Sequence, residues 1–225
     1  MDGTAEAGLE AVMTLSEDAR TLWETATALA RAATAVSPPK RSLPPLLFFT
    51  DPARTPRPWE TAARLPVGAG VVFRHFGRPD ALETGLRLRA TTRDAGARLL
   101  VGLDADLAEQ IEADGVHLPE RALSAAYALS GRRPDWLLTG AAHSLETVKG
   151  ARDLDALVLS PVFQAGGVSA ARTALGVIGF KALATAAHCP AYALGGISAA
   201  RVKALIGSDA CGIAGVDAMQ AAFRG

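Results

Sequence analysis

Apolar residues along this chain come in short, nearly unbroken runs separated by longer stretches of mixed spacing. The runs begin near Leu46, Ala69, Arg98, Gly115, Trp136, Ala156, Pro190 and Cys211. Continuous apolar character, rather than strict alternation, suits strands covered on both faces, as in a parallel sheet flanked by helices. Between the runs, helical periodicity predicts helices over 81–95, 106–113, 122–130, 145–153, 178–188 and 198–209, with short ones near 57–65 and 218–223. Eight strand–helix units in roughly 180 residues predict a small (β/α)8 TIM barrel, an α/β fold. A doubly wound open sheet is the competing arrangement, but the first strand lacks the G-x-G-x-x-G turn that would support it.

The segment before the first strand reads differently. Residues 1–14 are acidic and patternless, which predicts a frayed end. From Ser16 to about Val36, Leu22, Trp23, Ala26, Leu29, Ala30 and Ala33 recur at helical spacing, with Ser16 as N-cap and Glu17 and Asp18 in the first turn. The apolar stripe of this extra helix needs a partner, and the N-terminal face of the barrel is the expected seat. Ser37-Pro38-Pro39-Lys40-Arg41-Ser42-Leu43-Pro44-Pro45 supports neither helix nor central strand and reads as a linker. The expected organisation is therefore a tail, helix and linker over 1–44 and a barrel domain over 45–225.

Composition narrows the partners. Lysine plus arginine and aspartate plus glutamate balance at 23 each, so no basic field points to nucleic acid or to an anionic membrane surface. No apolar run approaches the ~20 residues of a membrane span. The N-terminus lacks the apolar core of a signal peptide, and a cytoplasmic protein is expected. Cys189 and Cys211 lie without metal-ligand spacing and read as reduced, buried thiols.

In a barrel, chemistry belongs at the C-terminal strand ends. Those ends carry Asp51, Arg74, His75, Asp104, His117, His143, Ser160, Gly195, Gly196, Gly215, Val216 and Asp217. Ala193-Leu194-Gly195-Gly196-Ile197 and Gly212-Ile213-Ala214-Gly215-Val216 each end a strand before a helix. Such loops bring backbone N–H groups close to a phosphate, or simply permit tight turns. Asp217 conflicts with an anion there unless its carboxylate turns away, toward Arg74 or Lys203, or it caps its own helix and excludes phosphate. Arg74 leaves a buried strand and needs either an anionic ligand or an acid such as Asp51. His143, at a strand–helix junction, has the proton affinity for acid–base work near neutrality; capping or packing is its alternative. His117 reads as a mouth residue or as barrel packing. The long loop from Pro161 to Arg172 has the length of a lid over the site, or of an unimportant insertion.

Taken in order, these fragments resemble the thiamine phosphate synthase superfamily, including its TenI-like thiazole tautomerase branch. The resemblance runs from about Leu46 to the C-terminus. It rests on Phe49-Thr50-Asp51, Arg74, Ala113-Asp114-Gly115-Val116-His117-Leu118, His143-Ser144-Leu145-Glu146, Ser160-Pro161-Val162-Phe163, Ala193-Leu194-Gly195-Gly196-Ile197 and Asp209-Ala210-Cys211-Gly212-Ile213-Ala214. The chain also departs from the synthase pattern. The family's Q-x-R-x-K stretch falls on Val72-Phe73-Arg74-His75-Phe76, its metal-binding acids fall on Leu103 and near Ala122, and its pyrophosphate loop on Ala165-Gly166-Gly167-Val168.

Without those groups, magnesium is not expected as a cofactor, and no other cofactor is implied. The resemblance implies a thiazole-phosphate tautomerase-type enzyme of thiamine biosynthesis, with a ligand of the thiazole phosphate class. His143 and Arg74 are its catalytic candidates. Gly195, Gly196, Gly215, Val216 and Arg74 are its phosphate-binding candidates, and Asp51, His117 and Ser160 are candidate mouth residues. A competent synthase and a catalytically inactive barrel that binds a phosphorylated thiamine-related ligand are the alternatives. A homodimer is compatible with this reading.

Overall fold

The computed structural model of the chain describes residues 15–166 and 172–224. The expected frayed end at 1–14 and the centre of the expected lid, residues 167–171, fall outside that range. Eight parallel strands close into a barrel in sequence order: β1 (Leu46–Phe49), β2 (Gly70–Phe73), β3 (Arg98–Gly102), β4 (Gly115–Leu118), β5 (Leu137–Ala142), β6 (Ala156–Leu159), β7 (Ala191–Leu194) and β8 (Ala210–Gly215). Closure is made by β8 against β1, with Leu46 opposite Ile213 and Phe48 opposite Gly215.

The continuous apolar runs have the predicted physical reason. Alternate residues face two separate cores. Leu47, Phe49, Val72, Leu100, Leu137, Val158 and Tyr192 pack inside the barrel, whereas Phe48, Val71, Leu99, Val101 and Val116 pack against the helices.

The helices are α1 (Glu17–Val36), α2 (Pro58–Ala62), α3 (Ala81–Asp94), α4 (Ala105–Gln110), α5 (Ala126–Arg132), α6 (Leu145–Gly150), α7 (Gly176–Ala186), α8 (Ala199–Val202) and α9 (Asp217–Phe223). Several are shorter than their periodicity suggests. The stretch expected at 122–130 opens as a 3-10 turn over Glu120–Ala125, and the one expected at 198–209 ends by Leu205 after the 3-10 turn Lys203–Leu205. Among the described residues, no helix is long and apolar enough to cross a membrane.

The place of α1 corrects the expectation drawn from its stripe. Ser16 caps it as expected, its hydroxyl accepting from the Ala19 amide at 3.2 Å. The helix does not cover the N-terminal face; it stands in the outer ring against β8, between α8 and α9. The physical reason is that α8 and α9 have only 4 and 7 residues and leave the outside of β8 bare. Ala19, Leu22, Ala26 and Leu29 fill that gap, each buried leucine contributing about 1.5–3 kcal/mol relative to exposure. The linker, rather than the helix, runs along the N-terminal ends of the strands. There the Tyr192 hydroxyl donates to the Pro44 carbonyl at 2.7 Å, and Arg41 pairs with Asp155 at 3.3 Å.

Candidate active site at the C-terminal mouth

His143 follows β5 directly, on the parity that faces the barrel axis, and is held from two sides. Its Nδ1 lies 2.8 Å from the Ser160 carbonyl oxygen at the end of β6, with the Ser160 hydroxyl 3.2 Å from the same nitrogen. A carbonyl only accepts, so Nδ1 carries the proton and, in the neutral ring, Nε2 keeps its lone pair. Nε2 faces the Glu120 carboxylate at 3.9 Å. Glu120, at the start of the turn after β4, also accepts from the Thr147 hydroxyl and from the His143 amide at 3.4 Å. Ser144 caps α6 through the Thr147 amide at 3.2 Å, which fixes the backbone next to the imidazole. Sequence reasoning did not single out Glu120. Its signal was its position just past the polar end of β4, three residues after His117.

Arg74 emerges from β2 into the same mouth. Its amide donates to the Thr50 hydroxyl at 2.9 Å and its Nε to the Thr50 carbonyl at 2.8 Å. The guanidinium lies 5.4 Å from the ring centres of both Phe49 and Phe76. The Asp51 Oδ2 stands at 3.8 Å, an ion-pair distance too long for a hydrogen bond, while its Oδ1 accepts from the Ala53 and Arg54 amides. One terminal nitrogen of Arg74 is therefore buried without an acceptor. Burial lowers the arginine's pKa, with Asp51 opposing and Arg54 reinforcing the shift. A cation with a spare, desolvated donor is the group an anionic ligand would satisfy.

His117 sits deeper, inside the bore. Its Nδ1 is 2.9 Å from the Thr139 hydroxyl, and Phe49 meets its ring edge-on at 4.9 Å. Burial, aided by Arg74, pushes its pKa down to about 3, so the ring is neutral. His75 points across the rim instead, to Asp104 at 3.3 Å.

The glycines at the end of β7 have a second reason to be glycine. Gly195 and Gly196 adopt φ of +99° and +64°. A Cβ on Gly195 would lie 2.8 Å from the Pro161 Cα, and one on Gly196 would lie 2.5 Å from the Gln164 carbonyl oxygen. These positions let the loop after β6 lie close against them, whatever ligand they also face. Gly215 and Val216 close β8 and lead directly into α9.

Asp217 opens α9 but does not cap it. Its carboxylate takes neither expected cation. It turns to Arg54 on the neighbouring loop, whose Nε donates at 2.8 Å, and the Arg54 terminal nitrogen completes a bidentate pair. Arg74 is already held by Thr50, and Arg54, carried by the loop after β1, reaches Asp217 first. The hydrogen bond that Arg54 donates to Asp217 raises the pKa of Arg54, with burial opposing and the charges of Asp217 and Asp51 reinforcing the shift.

The magnesium that the resemblance implies does not fit these residues. Leu103 and Ala122 offer hydrocarbon at the positions of the carboxylates, and Leu103 stands 46% exposed with φ of +68°. Asp104 is engaged as the cap of α4, 2.9 Å from the Leu107 amide, and in the contact with His75. Among the described residues, no three metal-ligating side chains cluster. The groove beside Arg74, lined by Thr50, Asp51, His75, Arg78 and Thr84, encloses about 110 Å³. Larger cavities open elsewhere, but His143, Glu120 and the arginine with a spare donor all lie at the C-terminal ends of the strands that form this mouth.

The family model and the curated relatives point to one family. The sequence model of the family described as "Thiamine monophosphate synthase" matches residues 60–219. A protein named "Putative thiamine-phosphate synthase 2" from Aquifex aeolicus (strain VF5) is 35% identical over 131 residues, covering 57% of this chain and 69% of its own. The "Thiamine-phosphate synthase" of Archaeoglobus fulgidus is 31% identical over 141 residues, 60% of this chain and 66% of its own. Among solved structures, a thiamine phosphate pyrophosphorylase from Pyrococcus furiosus superposes with a TM-score of 0.66 at 23% identity, covering 80% of this chain and 91% of that one. At that identity the superposition speaks for the shared barrel alone.

Proposed function

The chain belongs to the thiamine monophosphate synthase family, and within it we propose a thiazole-phosphate tautomerase-type enzyme in which His143 moves the proton. The observation that carries this reading is the fixed tautomer of His143, with Nδ1–H on the Ser160 carbonyl and Nε2 turned to the mouth beside Glu120. Aromatising a non-aromatic thiazole tautomer requires one proton to leave a ring carbon and one to return elsewhere. The C–H electron pair enters the ring, and no other reactant is consumed. Nε2 takes the proton, Glu120 stabilises the imidazolium that forms, and the same nitrogen returns the proton. The phosphate of the ligand is held by Arg74 and by the loops at Gly195, Gly196, Gly215 and Val216.

A positioned general base contributes about a hundredfold to ten-thousandfold in rate. His143→Asn is therefore expected to lower thiazole-phosphate aromatisation by that factor while leaving thiazole-phosphate affinity, read by calorimetry, near the wild-type value. Unchanged turnover in His143→Asn would overturn the assignment. A second reading has one observation in its favour: Asp217 places a carboxylate at the start of α9, where phosphate is to bind. Thiazole-phosphate binding without turnover by the unaltered protein would establish the chain as a ligand-binding barrel.

A further inference from the structure

The N-terminal face of the barrel, opposite the mouth, holds a second cluster of charged groups. A cavity of about 710 Å³ opens there beneath the linker, between the N-terminal ends of β3 and β4. Six basic side chains line it, Lys40, Arg41, Arg89, Arg93, Arg98 and Arg133, against the four carboxylates Glu109, Glu112, Asp114 and Asp135. The carboxylates are already taken. Arg89 grips Asp114 at 2.7 and 3.2 Å, Arg133 grips Asp135 at 3.0 and 2.7 Å, Arg93 pairs with Glu112, and Arg132 holds Glu109 at 2.5 Å. Arg41 turns to Asp155 outside the cavity.

Arg98 is left over. It is the first residue of β3 and shares the parity of Leu100, which packs inside the barrel. It is half-buried, yet its guanidinium makes no hydrogen bond or ion pair among the described residues. As the first residue of β3, opposite Gly70 of β2, it lies at the N-terminal end of the bore. Lys40, above it on the linker, likewise has no acidic partner among the described residues. The Nε of Arg89 is buried without an acceptor. The buried side-chain atom left without a partner on this wall, the Arg89 Nε, is a donor, and Arg98 and Lys40 add two more cationic donors. A half-buried guanidinium without a counter-charge is costly, and the group that would relieve it is an oxyanion carrying several acceptors.

We propose that this cavity is a binding site for a small polyvalent oxyanion, seated between Arg98 and Lys40 and separate from the mouth. Such a ligand bridges the linker to β3 and so fastens the chain that leads from α1 into the barrel. Phosphoryl and carboxylate anions share this chemistry, and the probes are accordingly inorganic phosphate and citrate.

The experiment is calorimetric titration of the full chain with each probe at matched ionic strength, repeated on Arg98→Met, Lys40→Met and the mouth variant Arg74→Met. Loss of a charge-assisted hydrogen bond predicts affinity about tenfold weaker in Arg98→Met, with a loss in the same direction in Lys40→Met. Arg74→Met is expected to retain this binding, which keeps the test independent of the proposed phosphate site at the mouth. Lys40 is exposed, so its variant reports even where Arg98→Met fails to fold. Equal affinity in wild type and Lys40→Met, loss of all binding in Arg74→Met, or no binding of either probe would each overturn the proposal.

Discussion

Arg54 and Asp217 lie 163 positions apart in sequence and form a bidentate ion pair on the rim of the mouth, joining the loop after β1 to the start of α9 beside the neighbouring strand β8. The pair resolves a conflict visible in the sequence, where a carboxylate stands at a proposed phosphate site. With Arg54 in place, the negative charge of Asp217 is paired and both of its oxygens accept from the guanidinium.

Removing only the cation should expose that charge. Like charges ~4 Å apart repel by about 1 kcal/mol in water, or about fivefold in affinity. Arg54→Met is therefore expected to weaken thiazole-phosphate binding by about fivefold or more. Asp217→Ser in the Arg54→Met background should restore it, as calorimetry on the single and double variants will read. Equal affinity in wild type and Arg54→Met would remove Asp217 from the phosphate argument.

The hydrocarbon at Leu103 and Ala122 makes its own prediction. A hard cation requires oxygen ligands, so no magnesium-dependent joining of a pyrimidine diphosphate to thiazole phosphate is expected. Treatment with a chelator should leave aromatisation unchanged. Turnover of the joining reaction at an ordinary enzymatic rate would show that another carboxylate, such as Asp104, ligates the metal in place of the missing acids.

The buried His117 predicts acid sensitivity of the fold. Its pKa falls from 6.5 to about 3 in the folded chain, so below pH 6.5 the unfolded chain binds a proton that the folded one does not. Stability from this group is therefore present above that pH and lost as the pH falls toward 3, by about 1.4 kcal/mol for each unit. Urea unfolding of His117→Gln across this window should show a flatter dependence on pH than wild type. Parallel slopes would mean that the imidazole is not held neutral.

A further test concerns α1. Leu22 is 1% exposed against the barrel wall, and Leu22→Ala is expected to cost about 2–5 kcal/mol. Removing residues 1–40 should lower the thermal midpoint further. In both variants, ligand affinity at the mouth should persist wherever the protein remains folded. An unchanged midpoint in Leu22→Ala would show that α1 contributes nothing to the wall.

The strands and the barrel were legible because burial on both faces forces unbroken apolar runs, and that signal is local. Arg74 and His143 were legible for a related reason, as polar residues immediately following such runs. Glu120 and Arg54 were not. Each acquires its role only when the closed barrel brings separate loops together, and neither carries a local pattern. The seat of α1 was misread because its stripe specifies an apolar partner without specifying which one. That choice depended on the brevity of α9 and of α8, and the periodicity over 198–209 promised a longer α8. Gly195 and Gly196 were read from the ligand's side, while close approach to Pro161 and Gln164 supplied a second cause that the sequence could not distinguish.

The seat of α1 also orders events in time. The Ser16 hydroxyl that begins this helix donates to the carbonyl of Ala222, 206 residues later, at 2.9 Å. A ribosome therefore releases α1 long before its docking strand, β8. Contacts of such long sequence separation form late and slow folding. Throughout elongation the apolar stripe of Leu22, Ala26 and Leu29 has no native partner, and the nascent chain carries it as an adhesive surface until β8 emerges and closes the barrel wall.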